Sequence, residues 1–319
     1  MAYGFRVPGQ GPLATAESIL KVAEAGERLG YGYLAVTDHL VVPREFRSRY
    51  PYSETGEWPA GAMGRYMEQL SLLAFLAGRT GTARLLTSIM VLPHRPPVLA
   101  AKALATVDVL SGGRLTVGCG VGWLREEFAA IGAPPFEERG RASDEYIRAF
   151  RELWTNDRPS FNGRYARFSD VVFEPKPVQK PHPPIWVGGE SGPAIRRAAR
   201  LGDGWMPIGN NPARPLGTPD EYGQAVAELR RYGEESGRDP GAIHLAYMTG
   251  WRTQAQPERL ADGSRRALTG AAADVAADIA LFRAQGVRDF ILHFLSPTLE
   301  ETLEHVAWFA EDVMPIAGR

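Results

Sequence analysis

The chain has 319 residues, 44% hydrophobic and 23% charged, with a net charge of −1. That length and composition suit a globular protein of two ordinary domains or one large α/β barrel, with no charge excess to recruit nucleic acid or a membrane surface. The lone Cys119 excludes an internal disulfide, no Cys/His spacing suits zinc, no GxxxxGK[ST] is present and no apolar run reaches about 18 residues, so a cytoplasmic protein without a metal site is expected.

Tyr3 to Val7 reads as a short strand stopped by Pro8-Gly9. Thr15 caps a helical pattern whose apolar face carries Ile19, Leu20, Val22, Ala23 and Leu29, closed by Gly30. Tyr33 to Thr37 is a second strand with Asp38-His39 at its end, and residues 40–64 form a long loop rich in Arg, Pro, Gly and aromatics. Glu68 to Thr80 is helical, Arg84 to Val91 is a third strand stopped at Pro93, and Pro97 begins a helix to about Leu110. Leu115 to Val117 then runs into a turn with glycines at 118, 120 and 122, followed by Trp123 and the acidic pair Glu126-Glu127. A turn so poor in side chains lets backbone approach a flat or anionic ligand.

Arg139 to Trp154 is a helix, and residues 159–183 are strand-like pieces broken by Gly163 and several prolines, an excursion from the regular repeat. Ile185 to Val187 is strand five, leading into Gly188-Gly189-Glu190-Ser191 and a helix to Leu201. Strands at 203–208, 243–249 and 289–294 alternate with helices at 219–235, 271–285 and 298–313. Continuous apolar strands alternating eight times with helices predict a (β/α)8 TIM barrel with an excursion after strand four, one domain over 1–319; a doubly wound sheet is the alternative.

In such a barrel the chemistry sits at the C-terminal strand ends. Asp38-His39 is expected there as an acid/base pair, because the histidine titrates near neutrality. Gly188, Gly189, Glu190 and Ser191 open a helix whose free amides suit a phosphate, although Ser191 also serves as a plain N-cap and an inward Glu190 would repel the anion. Trp58, Trp123, Trp205 and Trp251 fall at strand ends or in the long loop and are expected to wall the pocket; hydrophobic packing under the loops is the alternative for each. His94 and His293 are weaker candidates, and Cys119 is expected to act as a small apolar residue.

A series of motifs joins these pieces: Thr37-Asp38-His39; Leu92-Pro93-His94-Arg95-Pro96-Pro97; Leu110-Ser111-Gly112-Gly113-Arg114; the glycine turn with Trp123 and Glu127-Phe128; Pro177-Val178-Gln179-Lys180-Pro181; Pro184-Ile185-Trp186-Val187-Gly188-Gly189; and Gly202-Asp203-Gly204-Trp205. The series resembles the bacterial luciferase-like monooxygenase superfamily over about residues 3 to 310, and within it the single-component branch that uses the deazaflavin coenzyme F420. The resemblance implies a flavin or deazaflavin in the barrel mouth. Its phosphate would lie near Gly188 to Ser191, its ring beside Asp38 and His39, against Gly118, Gly120, Val121 and Gly122, with Ser88-Ile89 behind it joined by a cis peptide. Some relatives carry a glutamate directly after the strand-four turn; Trp123 stands there, which argues against a sugar-phosphate dehydrogenase and leaves His39 as the proton donor or acceptor. The reading that follows is an F420-dependent oxidoreductase transferring hydride to or from a small organic substrate, assembled as a homodimer through the helix carrying Ala74, Ala77 and Gly78. The alternatives are an FMN-dependent monooxygenase fed by a partner flavin reductase, and a non-catalytic flavin-binding relative.

Overall fold

A computed structural model describes residues 1–58 and 64–318; part of the long loop, 59–63, and residue 319 lie outside the described residues. Eight parallel strands close a barrel: β1 (Ala2–Arg6), β2 (Tyr33–Val36), β3 (Arg84–Val91), β4 (Leu115–Gly120), β7 (Ile185–Gly188), β8 (Gly204–Met206), β9 (His244–Met248) and β10 (Asp289–Leu292), in the cyclic order β1-β10-β9-β8-β7-β4-β3-β2. Between β4 and β7 lie β5 (Phe161–Asn162) and β6 (Arg167–Phe168), a small antiparallel hairpin inside the stretch read as an excursion.

Helices lie between the strands: α1 (Ala16–Arg28), α2 (Gln69–Ala77), α3 (Pro97–Leu110), α4 (Arg125–Ala130), α5 (Arg139–Thr155), α6 (Gly192–Leu201), α7 (Pro219–Glu235), α8 (Ala272–Ala284), α9 (Leu299–Trp308) and α10 (Met314–Ala317). Local chemistry starts them where the sequence suggests. Thr15 Oγ1 accepts from the Ser18 amide at 3.2 Å, Thr218 and Glu221 form a reciprocal capping box, and Pro97 opens α3, where no N–H is needed. The last helix departs from expectation: after Trp308 the chain loosens into a π-turn over Phe309–Val313, just before Pro315, which has no N–H to donate back.

Strand alternation separates two cores. Tyr33, Ala35, Leu86, Trp186, Met206, Ala246, Met248 and Ile291 fill the barrel interior, while Phe5, Leu34, Val117, Val187, Trp205, Tyr247, Phe290 and Leu292 pack outward under the helices. Each fully buried large side chain contributes about 1.5–3 kcal/mol relative to exposure. Cys119 belongs to the outer layer, where burial pushes its thiol up to about 12. At the closed bottom, Asp289 ties the β1–β10 seam. It accepts from the Ala2 amide at 2.7 Å, from Tyr33 Oη at 2.9 Å and contacts His244 Nε2 at 2.9 Å.

Candidate active site

β2 delivers Asp38 and His39 to the barrel mouth, but their side chains do different work. Asp38 is 4% exposed. Its carboxylate takes a fork from Arg95, at 2.9 and 2.8 Å, and the Val91 amide at 2.9 Å. Arg95 also donates to Glu68 at 2.6 Å. Burial alone would weaken the Arg95 proton; the Asp38 and Glu68 contacts more than offset it and raise its pKa. Asp38, expected as a catalytic and cofactor-binding group, clamps the end of β3 to β2, with each oxygen accepting from a protein donor.

The partner of His39 is Glu127, which lies in α4. Nδ1 of His39 stands 2.7 Å from Glu127 Oε2, while Glu127 Oε1 accepts the Leu40 and Val41 amides at 2.7 and 3.2 Å. Glu127 is fully buried. Burial pushes its carboxyl up, but the His39 hydrogen bond, the nearby His94 and the Leu40 amide hold it below the usual carboxylate range. Nε2 of His39 carries no protein hydrogen bond among the described residues. A buried carboxylate fixes which nitrogen of the ring bears its proton and leaves the other to accept one. His94 lies behind the pair, edge-on to Phe128 with 5.0 Å between ring centres, and burial lowers its pKa.

The neighbouring Glu126 performs a second clamp, accepting the Arg47 amide at 2.7 Å and Ser48 Oγ at 2.7 Å. The acidic pair after the glycine turn thus grips the long loop at two points, and the loop's aromatics lie over His39. Trp58 lies 4.7 Å from the His39 ring, Tyr66 5.1 Å and Trp123 6.3 Å, with Trp58 and Trp123 edge-to-face at 5.1 Å. Phe46 and Tyr50 complete this wall, at 6.1 and 5.3 Å from Trp123.

Two of the four tryptophans expected in the pocket are elsewhere, and both expectations are corrected. Trp205 alternates outward from β8, fully buried, stacked on Tyr222 at 5.5 Å with its Nε1 donating to Gly189 O. Trp251 packs against Gly209 and under Arg266, and donates to Ala267 O at 2.8 Å, holding the loop before α8.

The inner wall has the expected small-residue character. The Ser88–Ile89 peptide is cis, with a register break between Thr87 and Met90. Ile89 lies between the ends of β4 and β7: a Cβ added at Gly120 or Gly188 would lie 2.9 Å from it. A Cβ at Gly118 would meet Thr87 O at 2.2 Å, and Gly122 adopts φ +85°. Val121 follows in the same turn, half-buried. On the β7 side Gly189 adopts φ +98°, and Ser191 caps α6 through the Ala194 amide at 3.4 Å. Glu190 points inward, as its alternative reading feared: it is 2% exposed and accepts from the Ile208 amide and Asn211 Nδ2 at 2.8 and 3.0 Å, and burial raises its pKa. That corrects the expectation for Glu190 as a phosphate ligand, because its carboxylate is spent on protein donors.

These residues fit a flat ring: a glycine-lined apolar wall backed by Ile89, with His39 and Trp58 packed together at the mouth. Sequence reasoning missed Glu127 as the histidine's partner and Arg95 as the aspartate's, although the Glu126-Glu127 pair and the Pro93-His94-Arg95 turn were both visible. Among the described residues no group of three or more His, Cys, Asp or Glu is placed to hold a metal ion, and no helix is long and apolar enough to cross a membrane.

The chain belongs to the luciferase-like monooxygenase family, whose profile matches residues 3–289. It is 31% identical over 304 residues to an uncharacterized protein of Mycobacterium tuberculosis, covering 92% of this chain and 94% of that one. Over 146 residues, 45% of this chain and 40% of the other, it is 42% identical to an FMNH2-dependent dimethylsulfone monooxygenase of Pseudomonas putida. The monooxygenase RslO1 from Streptomyces bottropensis superposes over all of both chains with a TM-score of 0.78 at 25% identity. An F420-dependent secondary alcohol dehydrogenase, solved with an F420-acetone adduct, shares the fold with a TM-score of 0.76 at 18% identity, covering 100% of this chain and 99% of that one.

Proposed function

We propose that this protein is an F420-dependent oxidoreductase that moves a hydride between the deazaflavin ring and a small organic substrate. The observation that carries the reading is the His39–Glu127 pair at the barrel mouth, 2.7 Å apart and roofed by Trp58 and Trp123. The bound coenzyme supplies the hydride chemistry. Hydride removal from an alcohol-type carbon needs a base for the hydroxyl proton, and hydride delivery to a carbonyl needs an acid. His39 Nε2 serves as either, with Glu127 holding the ring's orientation and stabilising its charged form. Gly118, Gly120 and Gly188 with Ile89 would hold the ring, and the Gly188 to Ser191 backbone the phosphate. The aromatic wall excludes water from the reacting face.

A second reading, an FMN-dependent monooxygenase supplied by a flavin reductase, is favoured by the 42% identity over 146 residues to the dimethylsulfone enzyme. Titrating the purified protein separately with oxidised F420 and FMN decides between them. Micromolar binding of the deazaflavin is expected; binding of FMN with none of F420 overturns the first reading. We also read the chain as one domain that forms a homodimer over α2 and α3. Phe75, Val98 and Leu99 are exposed there, at 39%, 40% and 61%. Ala77 is buried in its own barrel, so the contact would use Ala74, Gly78 and these apolar side chains.

A further inference from the structure

One charged group at the mouth is not used by the chemistry above. Arg6 ends β1, beside Ala35 of β2, while the preceding Phe5 pairs with Leu292 of β10. Phe5 and Leu292 face the outer core and Ala35 the inner one, so alternation turns Arg6, and His293 beyond Leu292, toward the barrel axis. Arg6 has one long protein contact, Nη2 to Thr249 O at 3.5 Å, and its Nε is sealed from solvent without a partner. Arg95, Arg197, Arg214 and Arg265 each hold a carboxylate; Arg6 holds none among the described residues. The undescribed Pro59 to Met63 bring no acidic side chain. Nδ1 of His293, Oδ1 of Asn210 and Oγ1 of Thr253 are likewise buried without partners. Burial lowers the pKa of Arg6, opposed by the phenols of Tyr50 and Tyr66. Arg6 is half-buried, and a guanidinium whose Nε is sealed without a partner is left for an anion to complete.

Position separates this anion from the coenzyme's phosphate. In the ring of eight strands β1 lies diametrically opposite β7, whose end carries the Gly188 to Ser191 turn, and adjacent to β2, which carries His39.

We propose that Arg6, with His293 beside it, binds the anionic group of the substrate, so that the substrate is a small organic acid whose carboxylate or sulfonate anchors at β1 while its reacting carbon lies by His39. The inference rests on the proposed oxidoreductase reading for the word substrate, but the anion site is tested by binding alone.

The test is calorimetry on the purified full chain, with no coenzyme and again with saturating F420 or FMN. The probes are benzoate against benzamide, hexanoate against hexanamide, and benzenesulfonate against benzenesulfonamide. At least one anion should bind about tenfold more tightly than its neutral partner, consistent with a charge-assisted fork, and should weaken as salt rises. Arg6→Gln should abolish that preference and Arg6→Lys should keep most of it. Without ligand, Arg6→Met should not lower Tm, because the guanidinium holds no carboxylate among the described residues. The proposal is overturned if no anion outbinds its neutral partner in either coenzyme state, or if Arg6→Gln keeps the preference. A lowered Tm in Arg6→Met with anion preference intact makes Arg6 structural. If neither coenzyme binds but the anion preference stands, the redox reading fails and the anion site survives. Preference for the sulfonate over both carboxylates assigns the class within the organic acids.

Discussion

Replacing Glu127 by glutamine tests the centre of the site, because it changes one atom and no volume. In the wild type, Oε1 accepts two amides and Oε2 faces His39 Nδ1 at 2.7 Å. The amides of Leu40 and Val41 will keep the glutamine oxygen on their side, so its NH2 must face the imidazole. His39 Nδ1 then has to accept, its proton moves to Nε2, and the nitrogen left for the substrate already bears a hydrogen and cannot act as the base. Losing a charge-assisted bond to a fully buried carboxylate costs about 1.5–3 kcal/mol of stability. Loss of the positioned base should lower kcat by roughly 10²- to 10⁴-fold. Coenzyme affinity should change little, because Glu127 is behind His39 and not on the glycine wall. Steady-state kinetics across pH, coenzyme titration and thermal melts of Glu127→Gln measure the three effects. Wild-type kcat with an unchanged pH profile would refute the pairing as the source of the chemistry.

His39→Ala should lower turnover by on the order of 10²-fold or more with coenzyme binding intact; unchanged turnover makes His39 structural. Asp38→Ala removes the carboxylate that holds Arg95 and the Val91 amide, and should cost about 3–5 kcal/mol by melting because a buried guanidinium loses a partner. Asp289 is held below its usual range: burial raises its pKa, and the contacts with His244, the Ala2 amide and Tyr33 outweigh that. Its folded pKa is lower than its unfolded one, so its contribution is present above the usual carboxylate range and lost as pH falls through the depressed value. The stability gap between wild type and Asp289→Asn should therefore close on acidification; a gap independent of pH rejects the assignment. A dimer is expected by light scattering at micromolar concentration, reduced to monomer by Leu99→Lys; a wild-type monomer counts against the α2–α3 contact.

The repeat of apolar strands and helices pointed to the barrel, because the strands read as continuous apolar runs and several helices start at a legible cap or proline, at Thr15, Pro97, Ser191, Thr218 and Thr298. The same local reading placed Asp38, His39 and the two glycine turns at the mouth, since position along a strand dictates which end of a barrel a residue reaches. It did not decide what those side chains touch. Glu127 meets His39 across 88 positions of sequence, and Arg95 meets Asp38 across 57, through the closure of strands that neither motif encodes. Trp58 and Trp205 look alike in a sequence, yet one roofs the histidine and the other packs under α7. The second was settled by a one-residue phase in a three-residue strand, too short for its pattern to show a face. Arg6 is hidden for the same reason: a charge at the end of a strand reads as a solvated tip, and only barrel closure turns it inward without a carboxylate.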